Sequence, residues 1–185
     1  MTGGLAEDLL ARRPFRRACR GDGTLLDDYF DGHRVLGEPR LLAALADELF
    51  RTIARTGAEL VAGEVAAGAQ LATAVALASV RHGRMLESRG IRRVPREYGI
   101  PGLLTSTVPD ASRFAVVDDV AGTGAAARRC VKALRGAGHQ VVGVFVILDR
   151  SQGATEELAR LGMTLTSLFR LDDLASGLHQ KGVET

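Results

Sequence analysis

Lysine is almost missing from this 185-residue chain. Of its 24 basic residues only Lys132 and Lys181 are lysines, and the other 22 are arginines. Chemistry that needs a primary amine must therefore use one of two side chains or do without. A bland cause is available: a genome rich in G and C would favour arginine and alanine codons, and 27 residues are alanine. Cysteine is scarce as well: Cys19 and Cys130 stand far apart and neither belongs to a CxxC pair, which argues against a disulfide scaffold or a zinc site. The four histidines are scattered, with none beside a carboxylate at metal-ligand spacing. No apolar run approaches the roughly 18–20 residues that span a bilayer. Glu7 and Asp8 lie where a secretory signal would be basic and then apolar. The net charge of +2 gives no electrostatic argument for nucleic acid. There is no internal repeat and no low-complexity tract. The chain reads as soluble, reduced and cytoplasmic, without a membrane or nucleic-acid partner.

What is present is a core-forming composition. Hydrophobic residues make up 46%, too many for a disordered chain, and the length fits one domain over residues 1–185. Residues 1–32 are polar and glycine-broken, with a short helix predicted over Leu5–Arg13 and stopped by Pro14. Between Pro39 and Arg55 the residues Leu41, Leu42, Leu45, Leu49 and Ile53 recur at helical spacing. Glu59–Gly63 is a short apolar run, and Ala69–Val80 reads as a buried helix. Residues 89–110 change character: four arginines, three prolines and three glycines predict a long basic loop without a core-facing period. The C-terminal part alternates strand and helix. Strands are predicted over Arg113–Val120, Val141–Leu148 and Thr164–Phe169. Helices are predicted over Gly124–Gly138, Glu156–Leu161 and Leu171–Leu178. This order implies an α/β fold with a parallel sheet and right-handed crossovers.

The stretch from Val116 to Ala126 carries the most chemistry. Asp118 and Asp119 end a buried strand, at the sheet edge where open α/β folds bind ligands. Ala121, Gly122, Thr123, Gly124 and Ala125 then lead into a helix, and such small residues let backbone amides cradle a phosphate. Three readings compete. Gly122, Gly124 and Ala127 fit a dinucleotide fingerprint, with Asp149 placed for a ribose, but an acid pair just before the turn would repel a pyrophosphate. A bare strand–turn–helix would leave two acids without partners. A phosphoribosyl site gives them partners: the acids take the ribose hydroxyls and the loop takes the 5′-phosphate.

The acid pair and loop resemble the phosphoribosyl pyrophosphate motif of the type I phosphoribosyltransferases. From about Leu25 to Leu174 the chain is similar to the orotate branch of that family. Residues 28–32, with Tyr29 and Phe30, resemble its aromatic segment near the base. Residues 61–74 resemble its pyrophosphate loop and following helix, and residues 92–99 resemble its mobile catalytic loop. The resemblance implies a parallel sheet flanked by helices, an N-terminal hood over residues 1–38 and a mobile loop over residues 89–110. It implies transfer of ribose 5-phosphate from phosphoribosyl pyrophosphate to orotate or a related heterocyclic base. Mg²⁺ would arrive with the pyrophosphate, and no side chain is assigned as a metal ligand. By the match, Asp118 and Asp119 meet the ribose hydroxyls, and Ala121 to Ala125 hold the 5′-phosphate. Arg150 meets the base, and Tyr29 and Phe30 line its pocket. Arg92, Arg93, Arg96 and Tyr98 belong to the catalytic loop. That loop would close over a neighbouring subunit's site, which implies a homodimer.

The chain departs from the family where charge meets the pyrophosphate. Arg93 and Arg96 stand where the family has lysines, and Tyr98 where it has a histidine. Residues 65–68 carry no cation, and Thr123 is the phosphate loop's one hydroxyl. Arginine can replace lysine as a charge, with a forked donor geometry, but it does not release a proton near neutral pH. A non-catalytic binder of phosphoribosyl pyrophosphate, or a transferase with another acceptor, is the alternative reading.

Overall fold

The computed structural model describes residues 2–19, 23 and 25–174. Its elements are α1 (Thr2–Ala11), β1 (Phe15–Cys19), β2 (Leu25–Phe30), α2 (Gly32–Leu36), α3 (Pro39–Ile53), β3 (Leu60–Glu64), α4 (Ala67–Arg81), β4 (Glu87–Arg96), β5 (Gly102–Leu104), β6 (Arg113–Ala121), α5 (Ala125–Gly136), β7 (Gln140–Asp149), α6 (Ala154–Ala159) and β8 (Leu165–Arg170). The last expected helix starts at Leu171, as predicted. Its continuation past residue 174 lies outside the described residues, as does Lys181.

The main sheet runs in the order β5-β4-β3-β6-β7-β8, parallel except for β5 at one edge. Its central strands are buried on both faces, which explains their unbroken apolar sequence. Along β6, Ala115 and Val117 face the side covered by α3, α4 and the N-terminal segment. Phe114 and Val116 face α5 and α6 on the other side. This is the two-residue alternation of a strand, used twice. Helix α3 begins as its sequence dictates: Pro39 needs no amide partner, and the Glu38 carboxylate accepts bonds from the backbone amides of Arg40 and Leu41. Its buried stripe of Leu41, Leu45, Leu49 and Ile53 is the one its spacing predicts. Among the described residues no helix is long and apolar enough to cross a membrane.

Two segments differ from the sequence expectation. Residues 89–110 do not form an irregular loop. They contain the antiparallel hairpin β4–β5, and only the root of β4 lies inside the sheet, in register from Leu60↔Glu87 to Glu64↔Ile91. Beyond Ile91 the strand pairs with β5 alone and projects outward. An edge arm buries almost nothing, so its arginines, Pro95 and glycines gave no strand period to read. Residues 1–32 also hold more order than their composition suggested. Strands β1 and β2 form a two-stranded ribbon, pinned by an edge-to-face contact between the rings of Phe15 and Phe30 with centroids 5.5 Å apart.

Candidate active site

The topology itself marks a place for a ligand. After β3 the chain moves to one side to form β4. It then returns to the other side of β3 with β6 and continues outward to β7 and β8. The carboxyl ends of β3 and β6 are thus neighbours at the point where the winding reverses, where open parallel sheets leave a crevice. Glu64 ends β3, and Asp118 and Asp119 lie near the end of β6.

The two aspartates point to opposite faces of the sheet. Asp119 reaches under the N-terminal segment, where Gly32 leaves it room: a Cβ on Gly32 would sit 1.5 Å from Asp119 Oδ2. Asp118 points toward α5. The backbone amide of Asp119 donates to Asp118 Oδ1 at 3.1 Å, and that of Val120 donates to Asp119 Oδ1 at 3.0 Å. These bonds do not offset the loss of water. Burial, and then the charge of Asp119, push the Asp118 carboxyl well above the usual aspartate range. Burial likewise raises Asp119. Such acids gain from ligand hydroxyl groups that donate to them.

Residues 121–127 follow as a turn into α5, with Gly124 in the left-handed region at φ 77° directly before the helix. Their small side chains leave the backbone lining a cavity of about 270 Å³, with Asp118, Arg129 and Arg150 in its wall. The helix N-terminus adds partial positive charge there. A second cavity of about 290 Å³ adjoins it across Asp118 and Arg150. The ribbon residues Tyr29 and Phe30 cover this second space, and Asp119, Glu64 and Arg93 line it. The structure thus brings Tyr29, Phe30, Arg93, Asp118, Asp119, the loop from Ala121 to Ala125 and Arg150 around two joined cavities. Asp149 lies outside both. Its Oδ1 accepts the Ser151 amide at 2.9 Å, so it braces the turn and gives the dinucleotide reading no ribose partner in either cavity.

Arg150 is 8% exposed, and its Nη2 donates to Asp28 Oδ2 at 2.5 Å. Its Nε is buried without a partner. Glu64 is 6% exposed and accepts three bonds: from Arg93 Nε at 2.6 Å, Arg129 Nε at 2.8 Å and Arg129 Nη2 at 3.1 Å. Burial would raise this carboxyl, but the hydrogen bonds and charges of Arg129 and Arg93 hold it below the usual glutamate range. The hairpin residues divide. Arg92 Nη1 donates to the carbonyls of Ile100, Gly102 and Leu104, so Arg92 ties the hairpin together from within. Arg96 lies over the Tyr98 ring, 4.6 Å from its centroid, and neither lines the two cavities.

Asp28 and Gly32 fall in the segment expected near the base, and Glu64 in the expected pyrophosphate loop, but the sequence assigned none of the three a role of its own, and Arg129 was not expected in the site at all. Arg129 sits one turn past the phosphate loop, and nothing local signals that it reaches an acid 65 residues earlier.

No family model matches the chain. Curated relatives do, among them two orotate phosphoribosyltransferases. The orotate phosphoribosyltransferase of Bradyrhizobium sp. strain ORS 278 is 30% identical, over 88% of this chain and 91% of its own length. That of Methanothermobacter thermautotrophicus is 35% identical, over 80% and 78%. The chain belongs to the orotate phosphoribosyltransferase family. Its fold agrees with that membership. The crystal structure of Mycobacterium tuberculosis orotate phosphoribosyltransferase with Fe(III) dicitrate aligns with a TM-score of 0.81 at 28% identity, covering 94% of this chain and 98% of that one. The same enzyme in complex with phosphoribosyl pyrophosphate aligns at 0.77 over the same shares. The type I phosphoribosyltransferase fold expected from the acid pair and loop is thus the fold of this chain.

Proposed function

We propose that this chain transfers ribose 5-phosphate from phosphoribosyl pyrophosphate to orotate, releasing pyrophosphate. The observation that carries this reading is the acid pair at the winding reversal, set beside an amide-lined turn into a helix. In the reaction the C1–O bond to pyrophosphate breaks, a C1–N bond to the base forms, and the proton on the base nitrogen leaves to solvent. Asp118 and Asp119 accept hydrogen bonds from the ribose hydroxyls, and Ala121, Gly122, Thr123, Gly124 and Ala125 hold the 5′-phosphate. Arg150 meets the base beneath Tyr29 and Phe30. These contacts fix C1 and the base nitrogen in line, and the ribbon keeps water out. Arg93, Arg96 and Tyr98 are the hairpin groups assigned to the leaving pyrophosphate, with Arg92 bracing the arm.

Mg²⁺ fits the donor chemistry. Among the described residues no three of His, Cys, Asp and Glu cluster as a metal cage. The acids that line the second cavity, Glu64, Asp118 and Asp119, are oxygen donors. Mg²⁺ commonly uses one or two carboxylates and draws its remaining ligands from phosphates and water. Asp118 and Asp119 are the side chains that would face it, and the ion would neutralise charge on the pyrophosphate. Arg96 and Tyr98 stand away from this chain's own cavities, which supports a homodimer whose partner receives the hairpin tip. We further assign the whole chain to one domain, with residues 1–38 as hood and residues 89–110 as a mobile arm, and place it in the cytoplasm.

One contact favours a second reading of the acceptor. Asp28 already occupies Arg150, and a base without orotate's carboxylate would leave that pair undisturbed. A panel of bases, with pyrophosphate release measured for each, tests both readings. Release with orotate establishes the first, and release only with uncharged bases establishes the second. Equilibrium binding of phosphoribosyl pyrophosphate without release for any base would overturn the enzyme reading.

A further inference from the structure

Glu64 draws two guanidiniums into one place, and the mechanism above uses only one of them. Arg93 comes from the hairpin and Arg129 from the first turns of α5, so three distant segments meet at this acid. Arg129 also stands in the wall of the amide-lined cavity. Both arginines line a third cavity of about 350 Å³ between α5 and the hairpin, with Lys132 at its rim and Glu64 as its one acid. A guanidinium carries five N–H groups. Arg129 uses Nε and Nη2 on Glu64, and Arg93 uses Nε, so Arg129 Nη1 and both Nη groups of Arg93 lie outside those bonds.

A purely structural role explains this poorly. Both arginines are substantially exposed, and burying an acid among half-solvated partners gains little stability over an apolar residue of the same size. The arrangement does supply several N–H donors and net positive charge beside residues 65–68, which carry no cation of their own. A pyrophosphate needs several donors converging from one side, and guanidinium forks suit its oxygens.

We propose that Arg129 is a further substrate-binding residue that holds the pyrophosphate together with Arg93, and that Glu64 is the positioning residue that sets the two guanidiniums side by side. This rests on the phosphoribosyl reading, because pyrophosphate is that reaction's leaving group.

The test titrates the full-length chain with inorganic pyrophosphate and Mg²⁺, and measures KM for phosphoribosyl pyrophosphate and for the base separately. Arg129→Ala weakens pyrophosphate binding about tenfold or more, the loss of a charge-assisted contact, and leaves KM for the base within about twofold. Arg129→Lys recovers part of the loss. Glu64→Gln, nearly the same shape, weakens pyrophosphate binding less than Arg129→Ala does. Its effect disappears in an Arg129→Ala, Arg93→Ala background, as a positioning role demands. Wild-type pyrophosphate affinity in Arg129→Ala overturns the proposal, and so does an equal loss for base and pyrophosphate. If Arg129→Ala does not fold, Arg129→Gln takes its place under the same criteria. A wild-type chain that releases no pyrophosphate with any base overturns the underlying function. An active wild type with an unaffected Arg129→Ala overturns this proposal alone.

Discussion

An anion entering between β6 and α5 would meet backbone amides, small side chains and a helix end, with two buried acids alongside. An anion entering between β3 and the hairpin would meet flexible guanidiniums gathered on one buried acid. The first region is contiguous in sequence and rigid by construction. The second is assembled from residues 64, 93 and 129, one on a strand end, one on a projecting arm and one on a helix. The two regions also answer pH in opposite directions. Asp118 and Asp119 bind protons more tightly in the folded chain than in the unfolded one, so the stability they confer is present in acid and lost as pH rises through their raised values. Glu64 has a lowered value, so its contribution is present at neutral pH and lost as pH falls below the usual glutamate range. A preformed cradle carries stored electrostatic cost, whereas the arginine cluster is stabilising where the enzyme would work.

The strongest way to break this contrast is to remove the acid pair. Asp118→Asn with Asp119→Asn should weaken phosphoribosyl pyrophosphate binding by roughly a hundredfold or more, the loss of two charge-assisted contacts. The same variant should melt at a higher temperature than wild type without ligand at neutral pH. The gap should narrow as pH is lowered from about 8 to about 4 and the wild-type acids take up protons. Unchanged affinity in a titration would reject the site. Glu64→Gln should show the reverse trend: its destabilisation should shrink in acid.

The hairpin tip comes next. Arg96→Ala should cut kcat by about a hundredfold, as for other groups that meet developing charge, with a much smaller change in substrate affinity. Full activity in Arg96→Lys would show that only the charge matters at this position. A fall in affinity with kcat intact would move Arg96 from the transition state to ordinary binding.

Gly32→Ala probes the seam between ribbon and acid pair. Its new Cβ would collide with the Asp119 carboxylate. We expect a stability loss of about 1–3 kcal/mol from the forced shift, seen by denaturant unfolding, and weaker phosphoribosyl pyrophosphate binding. Wild-type stability would mean that the ribbon does not press on Asp119.

The smallest effect concerns Cys130, buried on α5 with its thiol pushed up to about 12 by burial and by the nearby charge of Asp118. Iodoacetamide at about pH 8 should leave it unmodified in the folded chain, as mass spectrometry of peptides would show. Rapid alkylation would mean that α5 opens.

The contrast also explains what could be read in advance. The parallel sheet was legible because a strand buried on both faces has an unmistakable sequence, as in β7. The phosphate loop was legible because its small residues and acids are neighbours in the chain. Helix α3 announced itself through Pro39 and its leucine spacing. The hairpin and the ribbon were not legible as strands, because neither buries a full face and charged residues interrupt both. Arg129 was invisible for another reason. Its partner is fixed by how α5 lies on the sheet, and an arginine on an exposed helix face looks the same with or without such a partner. Arg150 gave half of its story: the family resemblance implied a contact with the base, but Asp28 as its partner depends on where the ribbon folds down.

The cavity between α5 and the hairpin has a practical consequence. Lys132 at its rim is exposed, and it is the one side-chain amine among the described residues. In most proteins of this size an amine-directed dye scatters over many surface positions. Here the described residues offer such a dye one side chain, at the root of the arm; with Lys181→Arg and the N-terminal amine blocked, a single label there would report whether the arm moves during turnover.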